Sequence, residues 1–293
     1  QISATDLRDV FRVKELDKNT GVFGVIAGNT SYSLSPYMHN AAFKRKSLNS
    51  VFIPLQVSDL NAFVRRMVRP ETREIELNFR GFSVTNPHKQ SIMEHLDFVD
   101  DTAQMIGAVN TVKIDGGKLE GYNTDAPGFI APLKKMYGDL KGSRALVAGS
   151  GGAARACVYA LKREGVDVTL LARDPERAAA FAREFAISVH KLSTKRRSLA
   201  ADILVNATPL GTKGENETST VATSEELRGV KLVYDLVYNP SETMLLQEAK
   251  TAGAKTLGGI DMLIAQGAEQ FRIWTGGDAP TDVMKDAVLA RLT

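Results

Sequence analysis

The feature that most constrains this chain is a glycine-rich turn set between two apolar runs. The turn is Gly149-Ser150-Gly151-Gly152, and it lies between the apolar run 145–148 and the segment 153–162, whose small and apolar residues suit a helix packed on a sheet. Gly165 ends that segment, and 166–171 is a second apolar run. Strand, glycine turn, helix and strand in this order predict half of a mononucleotide-binding unit within an α/β fold.

Turns of this kind bind anionic ligands through the backbone. Glycine lets the chain turn tightly, and N–H groups at the helix N-terminus can reach a pyrophosphate, where the helix dipole favours negative charge. Alanine after the turn still permits close packing of helix on strand. The residues predicted to bind the dinucleotide here are Gly149, Ser150, Gly151, Gly152 and Ala153.

The residues after the second apolar run select between NAD and NADP. NAD sites usually place an acid there for the ribose 2′-hydroxyl, whereas NADP sites use arginine. Arg173 lies at this point and Arg177 lies one turn further along. Guanidinium groups hold a phosphate by paired hydrogen bonds, which favours NADP. Asp174 favours NAD instead, unless it only caps a helix that begins at Pro175.

Length and composition narrow the class of protein further. At 293 residues two domains are expected, and no apolar run approaches the ~20 residues that span a bilayer. The net charge is +3 without a basic tract, so we expect neither a nucleic-acid nor a membrane partner. A single cysteine, Cys157, excludes an internal disulfide and fits a reducing compartment, the cytoplasm or a plant plastid. We expect no metal site.

Two hydroxyl groups precede the first predicted helix. Ser33 and Ser35 follow an apolar strand at 22–27 and come just before Pro36. Ser35 can act as the N-cap of a helix with proline in its first position. A pair of hydroxyls beside a helix N-terminus also suits a small carboxylate, so both interpretations stay open.

Two charged residues are candidates for proton transfer. Asn86-Pro87-His88-Lys89 follows a strand at 81–85 and is interpreted as a helix start capped by Asn86. Lys89 then lies in the first turn, where the dipole disfavours a cation; it is either a solvated lysine or a proton-exchanging group. Asp125, before Ala126-Pro127, is either a helix cap or part of the site.

Eight stretches, taken in order, resemble the shikimate dehydrogenase family. They are S-L-S-P-Y-M-H-N at 33–40, V-T-N-P-H-K at 84–89, G-A-V-N-T at 107–111, G-Y-N-T-D-A-P-G at 121–128, G-S-G-G-A-A-R at 149–155, N-A-T-P-L-G at 206–211, Y-D-L-V-Y-N-P-S-E-T at 234–243 and M-L-I-A-Q-G-A at 262–268. The resemblance covers residues 22 to 293, and the shared order makes it far more specific than any single motif.

The resemblance implies an α/β fold of two domains. A substrate-binding and catalytic domain would comprise 21–124 and 259–293, and a Rossmann-like NADP-binding domain 125–258, with the C-terminal helices returning to the first domain. Residues 1–20 would be a linker or arm. They resemble the linker of bifunctional proteins in which a 3-dehydroquinate dehydratase precedes this domain, which implies a fused or associated dehydratase upstream of Gln1.

The resemblance also implies an activity, the NADP-dependent reduction of 3-dehydroshikimate to shikimate. Lys89 and Asp125 would form the catalytic pair, and Ser33 and Ser35 would bind the substrate carboxylate. The residues that would orient the ring are Thr85, Asn110, Tyr238 and Gln266, and those that would complete the cofactor site are Thr208, Val237 and Gly259.

Three alternatives stay open at this point. One is a quinate/shikimate dehydrogenase that prefers NAD, which Asp174 invites. Another is a nucleotide-binding module without catalytic activity. Analogy of fold alone also admits an enzyme like methylenetetrahydrofolate dehydrogenase, because fold does not determine function.

Overall fold

The computed structural model describes residues 2–193 and 199–292. The chain divides into two compact units. The first runs up to Thr124 and resumes at Gly267–Arg291, and the second is Asp125–Gln266. Each unit is built on its own six-stranded sheet.

The first unit contains a mixed sheet with the strand order β2-β1-β3-β5-β6-β4. Its strands are β1 (Gly21–Ala27), β2 (Ser50–Gln56), β3 (Phe79–Val84), β4 (Phe98–Val99), β5 (Thr111–Asp115) and β6 (Lys118–Tyr122). β1 is parallel to β2 and β3, whereas β5 is antiparallel to β3 and β6. β5 and β6 pair across the turn Asp115-Gly116-Gly117, and both glycines have the positive φ that such a turn requires.

Helices cover both faces of this sheet. They are α1 (Ala4–Asp9), α2 (Ser35–Arg45), α3 (Leu60–Phe63) with a π-helical continuation at Val64–Val68, a 3₁₀ helix at Ser91–His95, α4 (Asp101–Ile106) and α10 (Thr281–Leu289). On one face Phe23, Phe43, Phe52 and Trp274 form an aromatic cluster. The other face is a separate apolar core around Ile26, Phe63 and Phe82. Burial on both faces fits the near-continuous apolar sequence of β1.

The N-terminal arm is part of the first unit. Ser3 and Asp6 form a reciprocal capping box that starts α1, which ends at Asp9. Asp6 is buried and forms an ion pair with Arg291, whose guanidinium lies over the Tyr37 ring. The two ends of the chain are thus joined on this unit.

The second unit contains an entirely parallel sheet with the strand order β12-β11-β10-β7-β8-β9. Its strands are β7 (Arg144–Ala148), β8 (Asp167–Ala172), β9 (Ser188–Lys191), β10 (Ile203–Asn206), β11 (Leu232–Asp235) and β12 (Lys255–Leu257). Counted from β7, this is the order of the doubly wound dinucleotide-binding fold. The predicted α/β class with a Rossmann-like domain is confirmed.

Five described helices belong wholly or partly to the second unit. They are α5 (Asp125–Tyr137), α6 (Gly152–Arg163), α7 (Pro175–Glu184), α8 (Met244–Thr251) and the first part of α9 (Gly259–Thr275), a helix that continues into the first unit. Three of them, α6, α7 and α8, connect consecutive parallel strands. Apolar side chains of the central strands form the core beneath them, with Leu204 and Val233 fully buried. None of the helices in the described part of the chain is long and apolar enough to cross a membrane.

Candidate functional site

In the first unit, two loops that carry predicted site residues lie side by side. β1 and β3 are parallel, so their carboxyl ends meet at the same edge of the sheet. Thr85 N donates to Ile26 O at 3.1 Å, and Gly28 N donates to Asn86 O at 3.1 Å. The loop after β1 contains Ser33, and the loop after β3 contains Thr85 and Lys89. Ligands of open α/β sheets bind outside this kind of edge.

The predicted role of Ser35 as a helix cap is wrong. Leu34 occupies the N-cap position of α2, Ser35 is already helical, and none of the described side chains caps the helix. Ser33 Oγ accepts a weak hydrogen bond from Ser35 N at 3.4 Å. Because Ser35 lies inside the first turn, its hydroxyl is not used for capping, which leaves the carboxylate-binding interpretation in place.

The predicted helix start at Asn86 is also wrong. Residues 86–90 form turns, and the next helical segment is the 3₁₀ helix at Ser91–His95. The Asn86 carbonyl points to Gly28 of the neighbouring loop and so does not begin a helical ladder. Lys89 is therefore not in a helix first turn, and the argument from the helix dipole does not apply to it.

Tertiary hydrogen bonds hold the Lys89 turn instead. Lys89 O accepts from Val109 N at 2.7 Å, and His88 N donates to Thr85 O at 2.9 Å. The buried His88 ring forms a hydrogen bond through Nε2 to Val57 O at 2.7 Å. The backbone that carries Lys89 is thus fixed from two neighbouring segments, as a precise site needs.

Asn110 is fixed next to the same loop. Its carbonyl accepts from Val84 N at 2.8 Å, its Nδ2 donates to Thr124 Oγ1 at 2.9 Å, and its Oδ1 accepts from Thr124 N at 2.8 Å. The structure therefore brings Asn110 close to Thr85 and the Lys89 turn within the first unit.

Sequence reasoning missed the buried network behind Asn110. Gln270 Nε2 donates to Thr111 Oγ1 at 3.1 Å, and Thr111 Oγ1 donates to Asn110 Oδ1 at 2.8 Å. Gln270 Oε1 lies 3.2 Å from Nε2 of His39. Gln270 follows the matched motif at 262–268 by two residues, and because its neighbours Glu269 and Arg272 are also polar, no local pattern distinguished it.

In the second unit, the glycine turn has the geometry that an anion site requires. Gly149 has a φ of 117°, its N–H donates to Leu171 O at 2.9 Å, and a Cβ there would lie 2.8 Å from Ala207 O. Gly151 is the N-cap of α6, and no side chain of the described residues caps this helix. A Cβ on Gly151 would meet nothing within 4 Å. The N-terminal N–H groups of α6 thus adjoin open space, which fits a pyrophosphate.

The residues that follow β8 separate the two possible cofactors. Asp174 is the N-cap of α7, with Pro175 in the first turn, and its Oδ1 accepts from Arg177 N at 3.1 Å. Asp174, the carboxylate that would favour NAD, is therefore used to cap a helix. Arg173 and Arg177 are both exposed at the carboxyl end of β8, where a 2′-phosphate would lie.

Two further predicted cofactor residues follow the next parallel strands. Thr208 comes after β10, and the buried Val237 comes after β11. Gly259 N donates to Val237 O at 3.3 Å, and a Cβ on Gly259 would lie only 2.3 Å from Leu236 O. Only glycine lets α9 begin this close to the loop after β11. All three residues therefore lie around the carboxyl ends of β10 and β11.

Asp125 and Gln266 lie on two helices of the second unit that pack together. Asp125 is buried in the first turn of α5. One turn later, a Cβ on Gly128 would lie 2.7 Å from Cβ of Gln266 on α9. Gln266 is half-buried and donates to Leu263 O at 2.8 Å. Tyr238 also belongs to this unit, whereas Lys89 belongs to the first; the pairing of Lys89 with Asp125 stays a prediction.

Over residues 2–193 and 199–292, no three histidine, cysteine, aspartate or glutamate side chains gather in a way that could hold a metal ion. The doubly wound sheet, the open glycine turn and the two arginines define an α/β protein with a unit for a phosphorylated dinucleotide. The first unit adds hydroxyl, amide and amino groups at one sheet edge.

Family models identify the particular protein family. The shikimate dehydrogenase substrate binding domain matches residues 25–112, shikimate / quinate 5-dehydrogenase matches 132–236, and the shikimate 5′-dehydrogenase C-terminal domain matches 259–289. A shikimate dehydrogenase (NADP(+)) of Methanopyrus kandleri is 40% identical over 288 residues, which cover 94% of this chain and 98% of that protein. The chain belongs to the shikimate dehydrogenase family.

Solved structures of the family have the same fold. A shikimate dehydrogenase crystallised in complex with NADP+ superposes with a TM-score of 0.85 at 38% identity, covering 95% of this chain and 98% of that one. A shikimate 5-dehydrogenase from Thermus thermophilus, in complex with NADP(H) and shikimate, gives a TM-score of 0.80 at 38% identity, covering 93% and 99%.

Proposed function

We propose that this chain is an NADP-dependent shikimate dehydrogenase that catalyses the reversible reduction of 3-dehydroshikimate to shikimate. Relatives named for this activity match nearly its whole length, and similar structures contain NADP and shikimate. The observation that carries the cofactor assignment is the bond from Arg177 N to Asp174, which assigns the acid to the helix cap and leaves two arginines beside it.

The residues of the second unit fit NADP. The backbone of Gly149, Gly151 and Gly152 would hold the pyrophosphate, and Arg173 and Arg177 would hold the 2′-phosphate. Thr208, Val237 and Gly259 would face the other end of the dinucleotide, because β10 and β11 lie on the opposite side of β7 from β8. When bound, the reduced cofactor supplies the hydride that the ketone carbon accepts.

The chain itself must supply a proton and hold the substrate. Lys89 is the proposed general acid, which donates a proton to the ketone oxygen and stabilises the charge that develops on it. Asp125 is the proposed partner of Lys89. Ser33 and Ser35 would bind the carboxylate, and the ring would be oriented by Thr85, Asn110, Tyr238 and Gln266.

The decisive experiment follows NADPH consumption with 3-dehydroshikimate. In the Lys89→Ala variant we expect kcat to fall by at least about a hundredfold with NADPH binding unchanged, because general acid catalysis contributes about that much or more. Lys14→Ala, which removes an exposed lysine of the same unit, is the matched control and should retain wild-type kcat. Equal activity of the Lys89 and Lys14 variants would refute the role of Lys89.

The same assay separates the alternatives. Shikimate and quinate are each assayed with NADP and with NAD, and the proposal predicts the highest kcat/KM for shikimate with NADP. Ser33, Ser35 and Thr85 together favour shikimate over quinate. A module that only binds nucleotide would bind NADPH and show no turnover with any of the four pairs.

Two other proposals concern the setting of the enzyme. Cys157 carries the single thiol of the chain; it is buried and cannot form an internal disulfide, which supports a cytoplasmic protein. The matched family models describe shikimate dehydrogenase domains alone, and a dehydratase upstream of Gln1 stays a prediction. The mass of the native gene product tests it.

A further inference from the structure

A buried polar cluster joins the ends of β10 and β11 in the second unit. Asn206 and Asp235 are the last residues of these strands and are directly paired in register. Both side chains are fully buried, and Asn206 Nδ2 donates to Asp235 Oδ1 at 2.9 Å. The rest of each strand is largely apolar.

Asn206 holds the loop that follows β10. Its Oδ1 accepts from Thr208 N at 3.0 Å and from Thr208 Oγ1 at 2.7 Å, while its Nδ2 donates to Leu210 O at 3.0 Å. Both polar atoms of the side chain are thus bound to the loop above it. The position of Thr208 depends directly on this amide.

Asp235 holds the loop that follows β11. Its Oδ1 accepts from Val237 N at 3.0 Å, and its Oδ2 accepts from Thr243 Oγ1 at 2.6 Å. Thr243 is fully buried and caps α8. One carboxylate therefore fixes both ends of the segment 237–243, which contains Val237 and Tyr238.

Burial disfavours the ionised form of this carboxylate. Burial raises the pKa of Asp235 to about 6, although the hydrogen bonds from Thr243, Val237 and Asn206 act in the opposite direction. A purely structural role therefore explains the cluster poorly, whereas precise placement of two loops explains both its cost and its hydrogen bonds.

We propose that Asp235 and Asn206 are positioning residues, which set Thr208 and Val237 for the nicotinamide half of NADP. The inference rests on the proposed function for the identity of the ligand. The adenosine half belongs beside β8, where Arg173 and Arg177 follow the strand. The loops after β10 and β11 lie on the other side of β7. Loss of the cluster should therefore weaken binding of the nicotinamide half of NADP and leave binding of the adenosine half unchanged.

Calorimetric binding of two ligands tests this split. In Asp235→Ala we expect NADP to bind at least about tenfold more weakly, because an orphaned buried group and a displaced loop weaken binding by roughly that factor or more. Adenosine 2′,5′-bisphosphate, which lacks the nicotinamide half, should bind as it does to the wild type. Asp235→Asn keeps an oxygen for Val237 N and Asn206 Nδ2 and should restore most of the NADP affinity.

Asp202→Ala is the matched control. Asp202 precedes β10 at the other end of the sheet, where it accepts from Arg144 N at 2.9 Å and pairs with Lys231. This variant should lose stability without changing the ratio of the two affinities. If Asp235→Ala does not fold, Thr243→Val, which removes the bond to Oδ2 together with the α8 cap bond from Leu246 N, must show the same split, and Thr243→Ser, which keeps both bonds, must bind both ligands as the wild type does.

Equal weakening of both ligands, or of neither, would overturn the proposal. Binding can be measured without turnover. A wild type that binds both ligands but is inactive would refute the proposed reaction, and the binding test of the positioning role could still be interpreted. A wild type that binds neither ligand would refute the cofactor assignment as well as the inference.

Discussion

Arg173 and Asp174 are neighbours with different duties. The Asp174 carboxylate accepts from Arg177 N and begins α7, so it serves the helix and not a ribose. Arg173 lies just after β8 and is exposed. Because the Asp174 carboxylate is engaged in capping the helix, the choice between NADP and NAD is left to the arginines.

The Arg173→Ala variant tests this assignment. Loss of a paired, charge-assisted contact with the 2′-phosphate should raise KM for NADP about ten- to a hundredfold and leave KM for NAD unchanged. Arg183→Ala, in the exposed last turn of the same helix, is the control and should change neither KM. An unchanged preference in Arg173→Ala would remove the argument for NADP that rests on this residue.

The contact between α5 and α9 is a close packing of one element on another. A Cβ on Gly128 would lie 2.7–2.9 Å from Cβ, N and Cα of Gln266. Two of these atoms belong to the backbone, so the contact cannot be relieved by a rotamer change. Asp125 lies one turn before Gly128 on α5, and the contact therefore determines how Asp125 and Gln266 are placed within this unit.

Gly128→Ala should destabilise the protein although alanine is the better helix former. Helix propensity favours alanine by about 1 kcal/mol, whereas overpacking against a backbone costs about 1–3 kcal/mol or more. We expect a net loss of stability in urea unfolding and a lower kcat. Gly277→Ala is the control, because its Cβ would come no closer than 3.8 Å to Thr275 Oγ1. Equal stability of the two variants would show that α5 and α9 can move apart to accommodate the added methyl group without loss of stability.

At the level of the whole molecule, buried ionisable groups set how stability depends on pH. His39 is fully buried, stacked on Phe52 with ring centroids 4.6 Å apart and bound to Gln270. Burial lowers its pKa from 6.5 to about 3. The unfolded chain therefore takes up a proton below about pH 6.5 that the folded chain refuses, and stability falls as pH decreases towards 3. Asp235 has the opposite sign, because its raised pKa lets the folded state take up the proton first.

The first unit should lose stability in mild acid. Between about pH 6.5 and pH 5 the His39 contribution amounts to about 2 kcal/mol. Trp274 is the single tryptophan and packs 5.2 Å from the His39 ring, so its fluorescence reports unfolding of this core. His39→Phe should flatten the pH dependence, whereas replacement of the exposed His190 by Asn should leave it unchanged. The same slope in all three proteins would contradict the assignment.

Local patterns predicted the parts of the site that depend on backbone geometry. The glycine turn, the strand after α6 and the arginines beyond it were all predicted, because each is a property of consecutive residues. The helix cap at Ser35 and the helix start at Asn86 were predicted wrongly at the local level, since Leu34 occupies the N-cap position of α2 and Gly28 of a neighbouring loop binds the Asn86 carbonyl. Family resemblance named these residues as candidates, but it could not show how their loops are held.

The sequence by itself determined the α/β class, the parallel nucleotide-binding sheet and the family, because apolar periodicity, turn residues and motif order are carried along the chain. Only the tertiary structure decided which polar side chains support the site. Asp235, Asn206 and Gln270 have hydrogen-bond partners up to 231 residues away, which no local pattern indicates. Hydrogen bonds between distant segments form only when the sheet brings their ends together, so no reading of adjacent residues could reveal them.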